Sequence, residues 1–170
     1  MTYPRINLMI MTIEKGALTR RNLSALLTAL LAIVLFSASP AQASDTVKWK
    51  PVSTNSNWSC GAYIGHNDRS HIKLKACIVT NSSGGAQAVL VVQNAGTSDQ
   101  YLSKGRVIFE SQLGGDVWCA PTNLAEGRTA GCYAPTVQVG NCWRTSSATV
   151  ELTLTRVTAA TADGQYVPCG

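Results

Sequence analysis

Aromatic side chains cluster near the cysteines of this chain. The planar rings of Trp and Tyr can stack on the apolar faces of sugars or bases, and such rigid rings dominate binding hot spots. A group of them exposed together would form a stacking platform for a carbohydrate. The alternative is structural, because aromatic rings also pack over disulfides in small β-sandwich cores. Both interpretations stay open, and the candidate stacking residues are Trp58, Tyr63, Trp118, Tyr133 and Trp143.

Both histidines of the chain lie in one polar segment. His66, Asp68 and His71 are residue types that zinc accepts, and together they could supply three metal ligands. Their spacing is not diagnostic on a strand or a loop. A polar hairpin loop whose side chains face water explains the segment more simply, so the sequence predicts no metal site and no cofactor.

Catalytic motifs are missing from the sequence. It contains neither a G-x-S-x-G nucleophile elbow nor an H-E-x-x-H zinc motif. A glycosidase would need two convergent carboxylates, whereas the carboxylates after residue 43 are scattered along the chain. We therefore predict that the protein is not an enzyme. A small secreted hydrolase remains an alternative, with His66, Asp68 and His71 as its metal-capable group.

The first 43 residues have the pattern of a secretory signal peptide. Two arginines precede an uncharged apolar stretch at 23–36, and a small-x-small cleavage sequence follows at 41–43. At 14 residues, the apolar stretch is shorter than the ~20 residues of a membrane span. We expect cleavage after Ala43, so that residues 44–170 are secreted and keep no membrane anchor. Met11 is a second possible start of translation.

Six cysteines lie after the predicted leader. Zinc sites generally pair cysteines roughly two to four residues apart, but here the closest pair, Cys132 and Cys142, is ten residues apart. An even number of cysteines in a secreted chain indicates disulfides instead. Local pairing is preferred, and such bonds matter in a domain with a small core. The preferred disulfides are Cys60–Cys77, Cys119–Cys132 and Cys142–Cys169.

The segment between Cys132 and Cys142 suggests a different function. If these two cysteines paired with each other, they would enclose the nine residues 133–141 in a constrained, exposed loop. Secreted protease inhibitors use such loops, because prior ordering of the loop raises affinity. The preferred pairing opposes this hypothesis, since it places the two cysteines in different disulfides.

The net charge is small once the leader is removed. The whole chain carries +5, whereas residues 44–170 contain ten Lys and Arg against eight Asp and Glu. The sequence therefore predicts no nucleic-acid partner. Four basic residues on predicted strands could attract an anionic wall polymer, or could form an ordinary solvated sheet face. They are Lys73, Lys75, Lys104 and Arg106.

Short apolar runs separated by Gly, Asn, Ser and Pro fill residues 44–170, without helical periodicity. Apolar residues alternate with polar ones most clearly at 71–80 and 149–156, which indicates half-buried strands. The run at 86–94 is apolar on both faces and so favours a central strand. The predicted strands span 46–52, 71–80, 86–94, 106–111, 117–119, 128–133, 149–156 and 166–169.

Two stretches resemble the bacterial extracellular immunoglobulin-like modules, including the cell-adhesion-related CARDB type. LVVQNAG at Leu90–Gly96 is similar to their V-x-N-x-G strand end, and LAEGRT at Leu124–Thr129 to their L-x-x-G-x-T turn. The chain also resembles small secreted proteins of actinomycete type. The resemblance implies an extracellular sandwich and no catalytic residues, because the family pattern has none. The six cysteines depart from that pattern.

Together these features predict a leader at 1–43 and one domain at 44–170. The domain is expected to be all-β: a single, disulfide-stapled, immunoglobulin-like β-sandwich of about seven strands. Its predicted function is that of a secreted, non-catalytic binding or interaction module, with an extracellular polysaccharide, the cell wall or a secreted protein as its partner. The alternatives are a protease inhibitor that presents 133–141 and a small secreted hydrolase.

Overall fold

The structure is a computed structural model and describes residues 46–111 and 115–169. All regular secondary structure in these residues is β-strand, which confirms the all-β prediction. The predicted leader and its cleavage site lie outside the described residues. No described segment forms a helix long and apolar enough to cross a membrane. The strands are β1 (Thr46–Val47), β2 (Lys50–Pro51), β3 (Trp58–Cys60), β4 (Ile64–Gly65), β5 (Ile72–Thr80), β6 (Gly85–Asn94), β7 (Gln100–Leu102), β8 (Lys104–Phe109), β9 (Val117–Cys119), β10 (Thr122–Leu124), β11 (Thr129–Tyr133), β12 (Val137–Gln138), β13 (Ala148–Thr153) and β14 (Val157–Ala162).

The strands form two main sheets. One has five strands in the order β1-β9-β8-β13-β14, and the other has seven. The order of the seven-stranded sheet is β2-β11-β6-β5-β3, with β12 on the same edge of β6 as β11, and β4 on β5. A separate pair joins β7 and β10. The predicted central strand is confirmed, because β6 is hydrogen-bonded on both sides and Val89 and Leu90, which face opposite ways, are both fully buried.

The two sheets pack face to face around one hydrophobic core. Alternation sends Leu74 and Ile78 of β5 inward, whereas the intervening Lys73 and Lys75 point outward. The inward residues of β8, β13 and β14 belong to the same buried cluster, which includes Leu152. Each sheet therefore buries one face in the sandwich and leaves its other face outside.

Three disulfides staple the sandwich, and their pairing is the preferred one. Cys119–Cys132 joins β9 to β11 and so ties the two sheets together through the core. Cys60–Cys77 joins the directly paired strands β3 and β5 on the outer side of the seven-stranded sheet. Cys142–Cys169 holds the last described residues against the segment that follows β12.

The predicted strand boundaries need four corrections. The single strand expected at 46–52 is two short strands in different sheets, because β1 pairs with β9 and β2 with β11. The strand expected at 149–156 ends at Thr153, where a turn leads into β14; this strand of small Ala and Thr residues gave no apolar signal. At 166–169 only one bridge forms, between Tyr166 and Arg144. Finally, the expected loop after Pro121 contains β10.

The edge strand β14 is covered by residues that connect strands of the other sheet. The side-chain amide of Asn67 donates to the carbonyl oxygen of Val157 at 3.3 Å, and the Asn67 N–H donates to the Thr158 hydroxyl at 3.0 Å. Gly61 lies so close that a Cβ there would overlap the carbonyl oxygen of Thr161. One side of the sandwich is thereby closed.

Candidate ligand-binding face

Three of the five predicted stacking residues lie on one surface. We call this surface the aromatic face: it is the outer side of the seven-stranded sheet, formed by Trp58, Tyr63 and Tyr133 together with Lys50, Lys73 and Lys75. Trp58 comes from β3 and Tyr133 from β11, which stand on opposite sides of the central strands β5 and β6. Their rings meet over the centre, edge to face, with centroids 5.9 Å apart and planes at 86°.

A small hydrophobic layer supports the two rings from below. Cys77, Val89 and Val91 are fully buried beneath them, although they face away from the main core. Trp58 and Tyr133 are half-buried and pack on this layer. The hydroxyl of Tyr133 also donates to the carbonyl oxygen of Pro51 at 3.1 Å. The rings are therefore held in fixed orientations, with part of each open to solvent.

Gly131 makes room for the ring of Tyr133. Gly131 and Tyr133 are two residues apart on β11 and so share the outer face. A Cβ on Gly131 would lie 2.8 Å from Cε2 of Tyr133 and 2.8 Å from Cγ2 of Val52. The absence of a side chain at this position thus lets the tyrosine ring lie down along the strand.

Two of the lysines stand over aromatic rings of this face. The Nζ of Lys75 is 4.4 Å from the ring centroid of Tyr63, and the Nζ of Lys50 is 5.8 Å from that of Tyr133. Attraction between an ammonium and a π face holds the lysine heads close to the surface. Burial raises the pKa of both tyrosines, so they stay neutral at neutral pH.

Sequence analysis did not single out Lys50, Lys73 and Lys75 as one group. Only the last two were considered, together with Lys104 and Arg106, and the structure places that second pair on the other sheet. Lys50 joins the aromatic face because β2 pairs with β11, which sets it opposite Gly131. No local pattern around Lys50 could have revealed this pairing between distant segments.

Trp118 lies on the outer side of the five-stranded sheet instead. We call that surface the charge-paired face, formed by Lys104, Arg106, Asp116, Trp118 and Glu151. The Nζ of Lys104 is 3.8 Å from the Trp118 ring centroid and the guanidinium carbon of Arg106 is 5.3 Å from it. The tryptophan is already covered by cations of its own chain.

Carboxylates neutralise Arg106 on the charge-paired face. Its Nε donates to Oδ2 of Asp116 at 2.8 Å, and its Nη1 donates to Oε2 of Glu151 at 3.2 Å. A second hydrogen bond to Asp116 comes from Nη2. These bonds, those to Asp116 above all, raise the pKa of the arginine and fix it in place.

Trp143, the fifth candidate, lies apart from both faces in the segment bounded by Cys142. Its side chain is 68% exposed, and that of Tyr166, which sequence analysis missed, is 70% exposed. Tyr166 stands opposite Arg144, whose guanidinium carbon is 5.7 Å from the tyrosine ring centroid. The only signal for Tyr166 was its position three residues before Cys169.

The histidine segment is held by hydrogen bonds rather than shaped as a metal site. His66 is buried; its Nε2 donates to the carbonyl oxygen of Leu152 at 3.0 Å, and its Nδ1 accepts from the N–H of Asp68 at 3.1 Å. His71 packs against Gly96. Among the described residues, no three potential metal ligands come together.

Asp68 clamps the turn between β13 and β14. Its carboxylate accepts hydrogen bonds from the main-chain N–H groups of Thr155 and Arg156 and from the Arg156 guanidinium. The bonds from Arg156 lower the pKa of Asp68 from 3.8 to about 2. A shallow hollow of about 220 Å³ lies beside it, next to Tyr101, but the carboxylate is already engaged in the turn.

The segment 133–141 is tied to the sheet rather than presented as a loop. Val137 and Gln138 form β12 on β6, and the N–H groups of Val139 and Gly140 both donate to the carbonyl oxygen of Gly84. Cys132 and Cys142 belong to different disulfides. The structure therefore gives no support to a disulfide-closed inhibitory loop.

Comparisons with protein-family models, with curated proteins and with solved structures give no match. The aromatic face remains the surface where predicted stacking residues converge. Its chemistry combines aromatic surface, fixed ring orientation and lysine side chains, which is a chemistry of binding.

Proposed function

We infer that this protein is an extracellular, non-catalytic binding module that holds a polysaccharide on its aromatic face. The observation that carries this proposal is the convergence of Trp58, Tyr63 and Tyr133 on one surface from three separate segments of the chain. Sugar rings have apolar C–H faces that pack on such side chains, and a ligand gains affinity when the rings are already ordered.

The extracellular setting is supported by the disulfides and by the predicted leader. Three disulfides, with no free cysteine among the described residues, are typical of oxidising compartments. The immunoglobulin-like class of the sandwich belongs to the same proposal. Two of its sequence features act as structural punctuation: the buried amide of Asn94 accepts from the Gly96 N–H at 3.0 Å, and Gly127 has a positive φ of 66°.

A non-catalytic role is supported by how the reactive groups are used. The strands of the seven-stranded sheet contribute no carboxylate, histidine or free thiol to the aromatic face. His66 and Asp68, the strongest candidates for chemistry elsewhere, have their polar atoms engaged in the fold.

The test is retention of the secreted protein on insoluble polysaccharides and on purified cell wall. The chain is expressed with its leader in an oxidising host, and its disulfides are kept intact. Tyr63→Ala and Trp58→Ala should each weaken retention about tenfold, which corresponds to about 1.4 kcal/mol. Trp143→Ala is the matched control, since it removes a more exposed ring outside the face and should leave retention unchanged.

Two results would contradict the proposal. One is retention that neither aromatic-face variant affects. The other is a loss confined to Trp143→Ala, which would move the site to the segment around the Cys142–Cys169 disulfide. Circular dichroism of each variant separates a lost contact from a lost fold.

A further inference from the structure

The charges of the described chain are unevenly divided between its two sheets. The strands of the seven-stranded sheet carry three charged residues, and all three are lysines: Lys50, Lys73 and Lys75. The other described residues contain seven Lys and Arg against seven Asp and Glu. The aromatic face therefore holds the whole positive excess of the described chain.

Lys75 is a half-buried cation without a carboxylate partner. No Asp or Glu of the described residues lies within ion-pair distance of Lys50, Lys73 or Lys75, whereas Arg106 has two such partners and Arg156 has one. Strong single-sign fields attract ligands of the opposite charge, and a surface of paired charges does not. The aromatic face thus offers unfilled positive sites beside its rings.

The register of the sheet sets the spacing of these cations. Lys50 lies opposite Gly131, Gly131 opposite Val91, and Val91 opposite Lys75, so that the two lysines end one row across four strands. Neighbouring strands are about 4.8 Å apart, which puts their backbones roughly 14 Å apart. Lys73 follows two residues along β5, about 7 Å from Lys75.

We propose that the ligand of this face is an acidic polysaccharide whose sugar rings carry carboxylates. The proposal rests on the polysaccharide-binding function inferred above and names its substrate class. Rings and lysines occupy the same surface, so one ligand must offer both apolar ring faces and repeated negative charge. Uronic-acid polymers do so, whereas a polyol phosphate chain lacks the sugar ring and a neutral glycan lacks the charge.

The direct test compares polygalacturonate with its methyl ester, which has the same backbone without the charge. The secreted protein should bind the acid form at least tenfold more tightly, and this difference should fall as NaCl rises from about 0.05 to 0.5 M. Lys50→Gln/Lys75→Gln should weaken binding to the acid form about tenfold. Lys48→Gln/Lys104→Gln removes the same charge outside the face and should change the affinity less than twofold.

The outcomes separate this inference from the function on which it rests. Equal binding to acid and ester, with loss in Trp58→Ala, would overturn the acidic ligand and keep a polysaccharide module. Equal loss in both lysine double variants, or equally tight binding of single-stranded DNA or of poly(glycerol phosphate), would show general attraction to polyanions and also overturn it. Failure to bind any polysaccharide or cell wall would overturn the function itself.

Discussion

The outer faces of the two sheets use the same residue types for different ends. Each places a tryptophan beside basic side chains, Trp118 with Lys104 and Arg106 on one sheet and Trp58 near Lys50 and Lys75 on the other. On the charge-paired face, Asp116 and Glu151 neutralise the cations, and the tryptophan is covered. On the aromatic face the described strands supply no acid, and the rings rest on their own hydrophobic layer.

The difference shows that the pairing of charges separates a structural surface from a binding surface. A cation that is already bonded to carboxylates of its own chain gains little from an external anion, because the incoming group must replace existing bonds. An unpaired cation meets no such competition. Aromatic content alone would have ranked Trp118 with Trp58, whereas the acids around Trp118 set it apart.

The largest expected effect comes from the disulfide that joins the two sheets. Cys119→Ala/Cys132→Ala should lower the free energy of unfolding by about 4 kcal/mol, because it frees a loop in the unfolded state and leaves a cavity in the core. Cys60→Ala/Cys77→Ala should cost about 3 kcal/mol, since β3 and β5 stay paired by hydrogen bonds. Urea unfolding measures both values, and the reverse order would refute the view that one core serves both faces.

Two glycines test how each face is supported. A Cβ on Gly105 would lie 2.8 Å from Sγ of Cys119 and 2.9 Å from Cδ2 of Leu90, inside the packed core. Gly105→Ala should therefore cost about 1–3 kcal/mol of stability. Gly131→Ala meets the half-buried ring of Tyr133, which can swing aside, so it should cost about 1 kcal/mol and weaken polysaccharide retention. Unchanged retention in folded Gly131→Ala would mean that the position of the Tyr133 ring is irrelevant to binding.

The contact between Trp58 and Tyr133 should appear as a coupling energy. A double-mutant cycle with alanine at both positions is expected to give about 0.5–1.5 kcal/mol in unfolding free energy, as for other edge-to-face ring pairs. The same cycle between Trp58 and Trp143 should give a coupling near zero, because Trp143 lies off the face. A coupling near zero for Trp58 and Tyr133 would contradict the packed arrangement.

Removing the acids should make the charge-paired face resemble the aromatic face. Asp116→Asn/Glu151→Gln leaves Lys104 and Arg106 unneutralised beside Trp118, so binding of polygalacturonate should strengthen several-fold. The stability change should stay under about 1 kcal/mol, since these ion pairs are partly exposed. Wild-type affinity in this variant would show that unpaired cations beside a ring are insufficient for binding.

The smallest effect is confined to acid and concerns Asp68, which links the two sheets. Its folded pKa of about 2 lies below its ordinary 3.8, so the ionised carboxylate stabilises the fold above that ordinary value. This stability is lost as the pH falls from about 4 to about 2. Thermal melts should show Asp68→Asn less stable than wild type at pH 6 and nearly equal to it at pH 2. A constant difference across this range would assign the effect to packing.

Local features of the fold were predictable, whereas the meeting of distant segments was not. Alternation of apolar and polar residues identified β5 and β13, and all three disulfides close local loops. Tyr133 beside Cys132 and Trp118 beside Cys119 look alike in the sequence, but β11 and β9 belong to different sheets. Trp58 and Tyr133 meet because β5 and β6 stand between their strands, and a non-local register of this kind leaves no local signal.

The cover over β14 has a consequence for a protein that gathers on a polymer. Crowding brings many copies side by side, and an uncharged edge strand such as Val157–Ala162 would invite them to join edge to edge into insoluble β-aggregates. Here Asn67 occupies the Val157 carbonyl and Gly61 stands against that of Thr161. Each copy can therefore lie densely packed along a polymer while its neighbours remain separate molecules.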